Sequence, residues 1–139
     1  IIGEGPDRSK LQNLIIDLEL EDNVFLCGEK LNPNKYLNRA DIFIFGSWYE
    51  GMPNAVLEAM AKKVPVISTK ARHGIEEVVV DGFNGLLCER GDYKTIASLI
   101  KNLINDNELK KKLSDNGFET IKSNYNFVTM LKSYERLLI

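Results

Sequence analysis

Short apolar runs, each stopped by a glycine or a polar turn and followed by helix formers, restrict the fold of this chain more than any other feature. Residues 42–45 end at Gly46, and after a polar turn holding Glu50, Gly51 and Pro53 comes a string of good helix formers, Ala55 to Ala61. A run this short and apolar at every position reads as a strand buried on both faces. The same reading applies to 24–27 before Gly28, to 64–68 and to 85–88, with Ile1 and Ile2 as the end of a further strand. Helices are expected at 8–18, with Asp7 or Ser9 as cap and Leu11, Leu14, Ile15 and Leu18 on one face, then at 32–38, 53–63 and 75–80. From Asp92 onward only helices are expected, at 93–105, 108–123 and from Phe127. Strands alternating with helices call for parallel strands and right-handed crossovers. The expected class is therefore α/β, a doubly wound, Rossmann-like parallel sheet in three layers with a helical C-terminus. In such a sheet ligands bind where the strands end. The turns at Gly3-Glu4-Gly5, Gly28-Glu29-Lys30, 46–51 and 70–74 are thus expected to converge on one cleft.

The stretch 41–63 shows what that cleft would hold. Pro53 suits the first helical position, because the N–H it lacks has no partner there and its fixed φ is already helical. The amides of Asn54, Ala55 and Val56 then point out of the positive helix end and make a site for an anion. Glu50 closes the turn, and Glu58 is the only charge between Pro53 and Ala61. With Val56, Leu57, Ala59, Met60 and Ala61 around it, this helix is expected to be packed on most of its surface, so the Glu58 carboxylate needs a partner. A structural Lys or Arg, water, or the hydroxyls of a ligand at the helix start would each serve.

Composition narrows the function. At 139 residues and 44% hydrophobic content the chain is expected to form one domain with one core. Twenty acidic against 18 basic residues, without a charge run beyond Lys110 to Lys112, lack the basic footprint of a nucleic-acid binder. No stretch is apolar enough to cross a bilayer, and no signal peptide opens the chain, so a cytoplasmic protein is expected. Cys27 and Cys88 have no metal-ligand spacing and sit in apolar runs, where a free thiol behaves as a small buried hydrophobe. No metal site is expected.

A Glu, seven residues and a second Glu, then Ala-Met-Ala, a Pro-Val-Ile strand, a Gly turn with Glu and an Asp-Gly-x-x-Gly turn follow in order in EGMPNAVLEAMA, PVIST and HGIEEVVVDGFNGLL. These elements resemble the C-terminal, nucleotide-sugar-binding domain of GT-B glycosyltransferases of the retaining group called family 4. The resemblance implies transfer of a sugar, with retention, from a nucleotide diphosphate sugar, UDP foremost, to an acceptor. It implies no metal or other cofactor, since the leaving diphosphate rests on a positive helix end. By the same resemblance Glu50 touches the sugar hydroxyls as the catalytic-site carboxylate, without being a nucleophile, and Glu58 the ribose hydroxyls. The backbone of Gly51, Met52, Asn54, Ala55 and Val56, around Pro53, faces sugar and diphosphate. Gly3 lines the nucleotide pocket, and the loop of Gly28 and Lys30 faces the base.

The resemblance further implies that an opening strand and an N-terminal acceptor-binding domain precede Ile1, and that the full-length protein can associate peripherally with a membrane. It has the last helix, 126–139, reach to that domain; the alternative is that its stripe of Phe127, Met130, Leu131, Tyr134, Leu137 and Leu138 covers this core. His73 stands where the family usually has the first of two glycines, and Gly74 where it has the second. Lys70 and Arg72 are exposed loop cations open to a phosphate, Glu77 orients the turn, and Trp48 and Tyr49 wall the pocket or meet a neighbouring domain. Two other functions fit the same residues: a nucleotide-binding module without chemistry, and a hydrolase whose Glu50 and Glu58 straddle a glycosidic bond.

Overall fold

The computed structural model describes residues 1–138; the side chain of Leu138 and all of Ile139 lie outside the described part. Two compact units divide the chain, Ile1–Lys35 and Tyr36–Ile139.

The first unit carries one long helix, α1 (Arg8–Asp17). Asp7 occupies its N-cap, but the carboxylate pairs with Lys10 at 2.9 Å rather than capping, and Leu11 N–H donates to the Asp7 main-chain oxygen. The helix ends in a Schellman turn: Glu19 takes φ 53°, and Leu20 N–H donates to Ile15 O at 2.9 Å. The two strands expected here do not form ladders. Cys27 N–H donates to Ile1 O at 2.8 Å and Gly3 N–H to Gly28 O at 2.9 Å, which leaves one isolated antiparallel bridge. Ile1 and Phe25 are each 62% exposed, so these runs lack the second covered face that a buried strand requires. Of the apolar face expected on α1 only Ile15 is buried; Leu11, Leu14 and Leu18 line a groove of about 140 Å³ with Ile1 and Val24.

In the second unit, β1 (Phe43–Phe45), β2 (Val66–Thr69) and β3 (Leu86–Cys88) form a parallel sheet in the order β1-β2-β3, with Ile44 opposite Ile67 and Ser68 opposite Leu87. The sheet has three strands where the sequence predicts five. A short helix, α2 (Asn34–Leu37), precedes it; α3 (Asn54–Ala61) and α4 (Ile75–Val78) lie in the connections from β1 to β2 and from β2 to β3. Alternation along β2 separates two cores. Val66 joins Val56, Ala59 and Met60 of α3 on one face, while Ile67 joins Leu103 and Leu113 on the other, from α5 (Tyr93–Asn105) and α6 (Asn107–Asn124). Helices on both faces make this the doubly wound α/β sheet expected, and explain why its strands are mostly apolar, with Ser68 and Thr69 of β2 the polar exceptions.

The helices are fixed by particular side chains. Asp92 caps α5 by accepting Thr95 N–H at 3.0 Å, as the sequence predicts, and Asp106 caps α6 by accepting Leu109 N–H at 2.8 Å. At Gly117 α6 runs close to α3: a Cβ there would stand 3.2 Å from Met60 Cγ and 3.3 Å from Asn84 O. Asn84, 1% exposed, accepts Val80 N–H at 2.7 Å and donates to Val78 O at 3.0 Å and to the Thr120 hydroxyl at 3.1 Å, tying the segment after α4 to α6.

The last helix, α7 (Phe127–Leu138), departs from one expectation. Its stripe does not cover the core: Phe127, Tyr134 and Leu137 are 68%, 60% and 82% exposed. These residues border an open groove of about 680 Å³ with Met52 and Leu57. Among the described residues no helix is long and apolar enough to cross a membrane. Both cysteines are free; Cys88 is buried, and burial pushes its thiol above the usual range, whereas Cys27 is only half-buried.

Candidate functional site

The segment between β1 and α3 is held on the end of β2. Thr69 Oγ1 donates to Ser47 O at 3.3 Å, Arg72 N–H to Trp48 O at 3.3 Å, and Tyr49 and Arg72 form a parallel bridge. Ser47 Oγ closes the loop on itself by donating to Tyr49 O at 3.0 Å. The chain then enters α3 through Pro53, which is buried and is the N-cap, with φ −79° and ψ 71°. Its ψ is not helical, so Pro53 stands one position before the place the sequence assigned it. That shift changes which amides are free. Asn54 N–H donates to Met52 O at 2.9 Å, and Val56 and Leu57 both donate to Pro53 O, at 2.9 and 3.1 Å. Of the three amides expected to be open, Ala55 N–H alone has no backbone acceptor among the described residues.

The turn before α4 braces this entry. Gly74 has φ 79°, and a Cβ on it would stand 2.7 Å from the carbonyl oxygens of both Glu50 and Gly51. Only glycine combines that conformation with that approach. His73, beside it, is exposed and also left-handed, at φ 74°. The turn therefore rests closely on the Glu50–Gly51 backbone even though one of the family's usual glycines is a histidine. Glu77 O accepts from Tyr125 Oη at 3.1 Å, which fixes the far end of α4 to the end of α6.

Glu50 is half-buried at the mouth of α3 and has no ion-pair partner among the described residues. Glu58 is exposed, which agrees with the alternatives in which its carboxylate meets water or a ligand rather than a packed cation. Asn54, Glu58, Ala61 and Lys62 are all exposed and fall at the i, i+4, i+7 and i+8 spacing of one helix face, so a solvent-facing strip runs from the helix mouth through Glu58. No lysine or arginine pairs with Glu58 among the described residues. Gly51 and Met52 are exposed in the turn, and Ala55 and Val56 lie in the first helical turn, Val56 fully buried. The structure thus brings Glu50, Gly51, Met52, Pro53, Asn54, Ala55 and Gly74 together. Gly3, Gly28 and Lys30 belong to the first unit, where Gly3 and Gly28 pair with each other and Lys30 is exposed.

A profile of the family described as Glycosyl transferases group 1 matches residues 1–120. The chain belongs to this family. Among its relatives, the lipopolysaccharide core biosynthesis glycosyltransferase LpsE of Rhizobium meliloti is 30% identical over 99% of the chain and 40% of its own length. The poly(ribitol-phosphate) alpha-N-acetylglucosaminyltransferase of Staphylococcus aureus is 31% identical over 99% of the chain and 28% of its own length. The crystal structure of an S. aureus TarM mutant in complex with fondaparinux, alpha-GlcNAc-glycerol and UDP superposes with a TM-score of 0.90 at 31% identity, again over 99% of this chain and 28% of that one. The chain spans less than half the length of these group 1 relatives. Its architecture is that of the C-terminal half of a GT-B fold, as the sequence implies.

The loop cations of this group 1 domain were not separable by sequence. Lys70 pairs with Glu89 at 2.6 Å, and that hydrogen bond holds its ammonium pKa above the usual value. Arg72 donates instead to the neutral Tyr49 hydroxyl at 3.0 Å. Asn84 was missed altogether, because in the Asp-Gly-Phe-Asn-Gly string it reads as one more turn residue.

Proposed function

We propose that this chain is the donor-binding half of a sugar transferase, holding a nucleotide diphosphate sugar, foremost a UDP-sugar, at the N-terminal end of α3. One observation carries the reading: at the mouth of α3 stand a half-buried Glu50 without an ion-pair partner among the described residues and an Ala55 amide without a backbone acceptor, with an exposed Glu58 one turn along the face that opens there, all toward the positive end of one helix dipole. The UDP in the complex of TarM, which is 31% identical to this chain over the part they share, supports the choice of nucleotide.

In this reading Glu58 accepts hydrogen bonds from the ribose hydroxyls and Glu50 from the hydroxyls of the sugar. The Ala55 amide and the helix end meet the negative charge that develops as the bond from the anomeric carbon to the diphosphate oxygen breaks and its electron pair leaves with the diphosphate. That stabilisation needs neither a metal nor another cofactor. Glu50 orients the sugar and is assigned no covalent step. The sugar is delivered with retention to an acceptor that a further domain of the full-length protein helps to hold.

Calorimetry on this chain with UDP, GDP, ADP and UDP-glucose tests the assignment. UDP is expected to bind, and Glu58→Ala to weaken it about tenfold or more, the loss of one or two charge-assisted hydrogen bonds. Glu50→Gln is expected to leave UDP unchanged and weaken UDP-glucose alone. No heat with any nucleotide, or UDP binding indifferent to Glu58→Ala, removes the donor assignment.

A further inference from the structure

Beyond the helix end, the rim where β2 and β3 finish carries three cations on two loops, and their partners differ. Lys70 is consumed by Glu89 at 2.6 Å. Arg72 and Arg90 have no carboxylate within ion-pair distance among the described residues. Each lies instead on an exposed aromatic of the β1 loop: Arg72 Cζ is 5.9 Å from the Tyr49 ring centroid with its Nη1 on the Tyr49 hydroxyl, and Arg90 Cζ is 5.2 Å from the Trp48 ring. The Lys70–Glu89 pair and the bond from Lys70 N–H to Cys88 O, 2.9 Å, tie the two loops to each other. In a chain with net charge −2, two uncompensated guanidiniums on one rim are not general basicity.

Over the Trp48 ring the Arg90 guanidinium keeps its in-plane N–H groups directed away from that ring, whereas Arg72 spends one N–H on the Tyr49 hydroxyl and keeps the rest of its fork; each contact removes part of the side-chain freedom that binding would otherwise cost. Such a fork matches a phosphate, and two of them match the roughly two negative charges of a phosphate monoester. The donor's charge is already placed at the tip of α3, which follows β1; β2 and β3 lie to one side of it in the sheet order. We infer that Arg72 and Arg90, seated on Tyr49 and Trp48, form a phosphate-ester site for the substrate that accepts the sugar. The assignment to the acceptor rests on the donor reading above; the oxyanion site itself does not.

Trp48 is the only tryptophan of the chain, so its fluorescence reports on this rim. The chain is titrated with sn-glycerol 3-phosphate, with glycerol, and with KCl at matched ionic strength, while UDP binding is followed separately by calorimetry. A saturable change in Trp48 emission is expected with the phosphate ester only. Arg72→Gln, which leaves the Arg90–Trp48 stack in place, is expected to raise the half-saturating concentration roughly fivefold or more without changing UDP heats. Arg90→Gln should do the same from a shifted baseline. Vesicles containing phosphatidic acid, whose headgroup is itself a phosphate monoester, form a second arm: a change with these and not with the soluble ester supports the site with a lipid-borne phosphate. A change that does not saturate, that KCl reproduces, or that persists unaltered in Arg72→Gln overturns the inference. UDP heats without any ester response overturn it and leave the donor reading standing, while an ester response without UDP heats keeps the oxyanion site and removes the donor reading.

Discussion

Gly74→Ala perturbs the candidate site in two ways whose sizes follow from the structure. At φ 79° any residue with a Cβ costs ~1–2 kcal/mol relative to right-handed backbone. The added carbon would also stand 2.7 Å from two backbone oxygens, those of Glu50 and Gly51, well inside the 3.4 Å at which ordinary contact begins. Neither oxygen sits on a side chain that can swing aside, so relief requires the whole turn to move, an overpacking cost of ~1–3 kcal/mol. The sum, about 2–5 kcal/mol, is a large part of the ~5–15 kcal/mol that holds a typical domain folded. At about 3 °C per kcal/mol for a chain of this size, melting should fall by roughly 6–15 °C. Thermal unfolding followed by circular dichroism measures this, with His73→Gly as the control of opposite sign. His73 is left-handed at φ 74° without a comparable contact, so glycine removes ~1 kcal/mol of strain, offset by about half of that in unfolded-state entropy. A melting point in Gly74→Ala within about 1 °C of the parent, or equal losses in both variants, would refute the brace between the α4 turn and the α3 entry.

Asn84→Ala leaves Val78 O without its partner in the core and Val80 N–H without one at its edge, and should cost about 2–4 kcal/mol in urea unfolding, while Thr120 keeps its bond to Asn116 O. Glu19→Gly relieves the left-handed residue that ends α1 and should raise stability by up to about 0.5 kcal/mol; a loss would mean that the Schellman turn is not what ends this helix. Bonds from the Thr95 hydroxyl and amide hold the Asp92 carboxyl below its usual range. Because the folded value is the lower one, its contribution is complete above the unfolded value of about 4 and is lost as pH falls through the folded value. Asp92→Ala should therefore lower the urea midpoint at neutral pH, and the gap between variant and parent should narrow progressively on acidification; a gap independent of pH would show that capping by the carboxylate is not its origin.

What the sequence disclosed depended on how local the signal was. The Asp92 cap, the parallel order of 43–45, 66–69 and 86–88 and the helix after Pro53 were legible, because each is decided by residues within a few positions of one another. The runs at 1–2 and 24–27 are as apolar as the true strands, and what they lack is covered surface on a second side, which is not a property of the run. Placing Pro53 one position too late in the helix start made Asn54 and Val56 look like open donors, although the carbonyls of Met52 and Pro53 already accept from them. The apolar neighbours of Glu58 left its carboxylate open to a Lys or Arg, to water or to a ligand; a helical face of four exposed positions passes through it and turns it to solvent. Lys70 and Arg72 are equivalent as letters; the carboxylate that neutralises one of them sits nineteen residues away, at Glu89.

The contact of Gly74 with two carbonyl oxygens also sets where this half of the molecule can vary. Position 74 admits no side chain, and residues 50 and 51 cannot shift without displacing α4, so the shape of the helix mouth is inherited as a unit. Positions 72 and 73, just upstream, are exposed, and the contacts of Arg72 with the backbone of the β1 loop run through its own main chain. New side chains there can alter what meets the rim of the sheet while the α3 entry that Gly74 braces stays unchanged, which makes them the natural positions for a library aimed at new ligands.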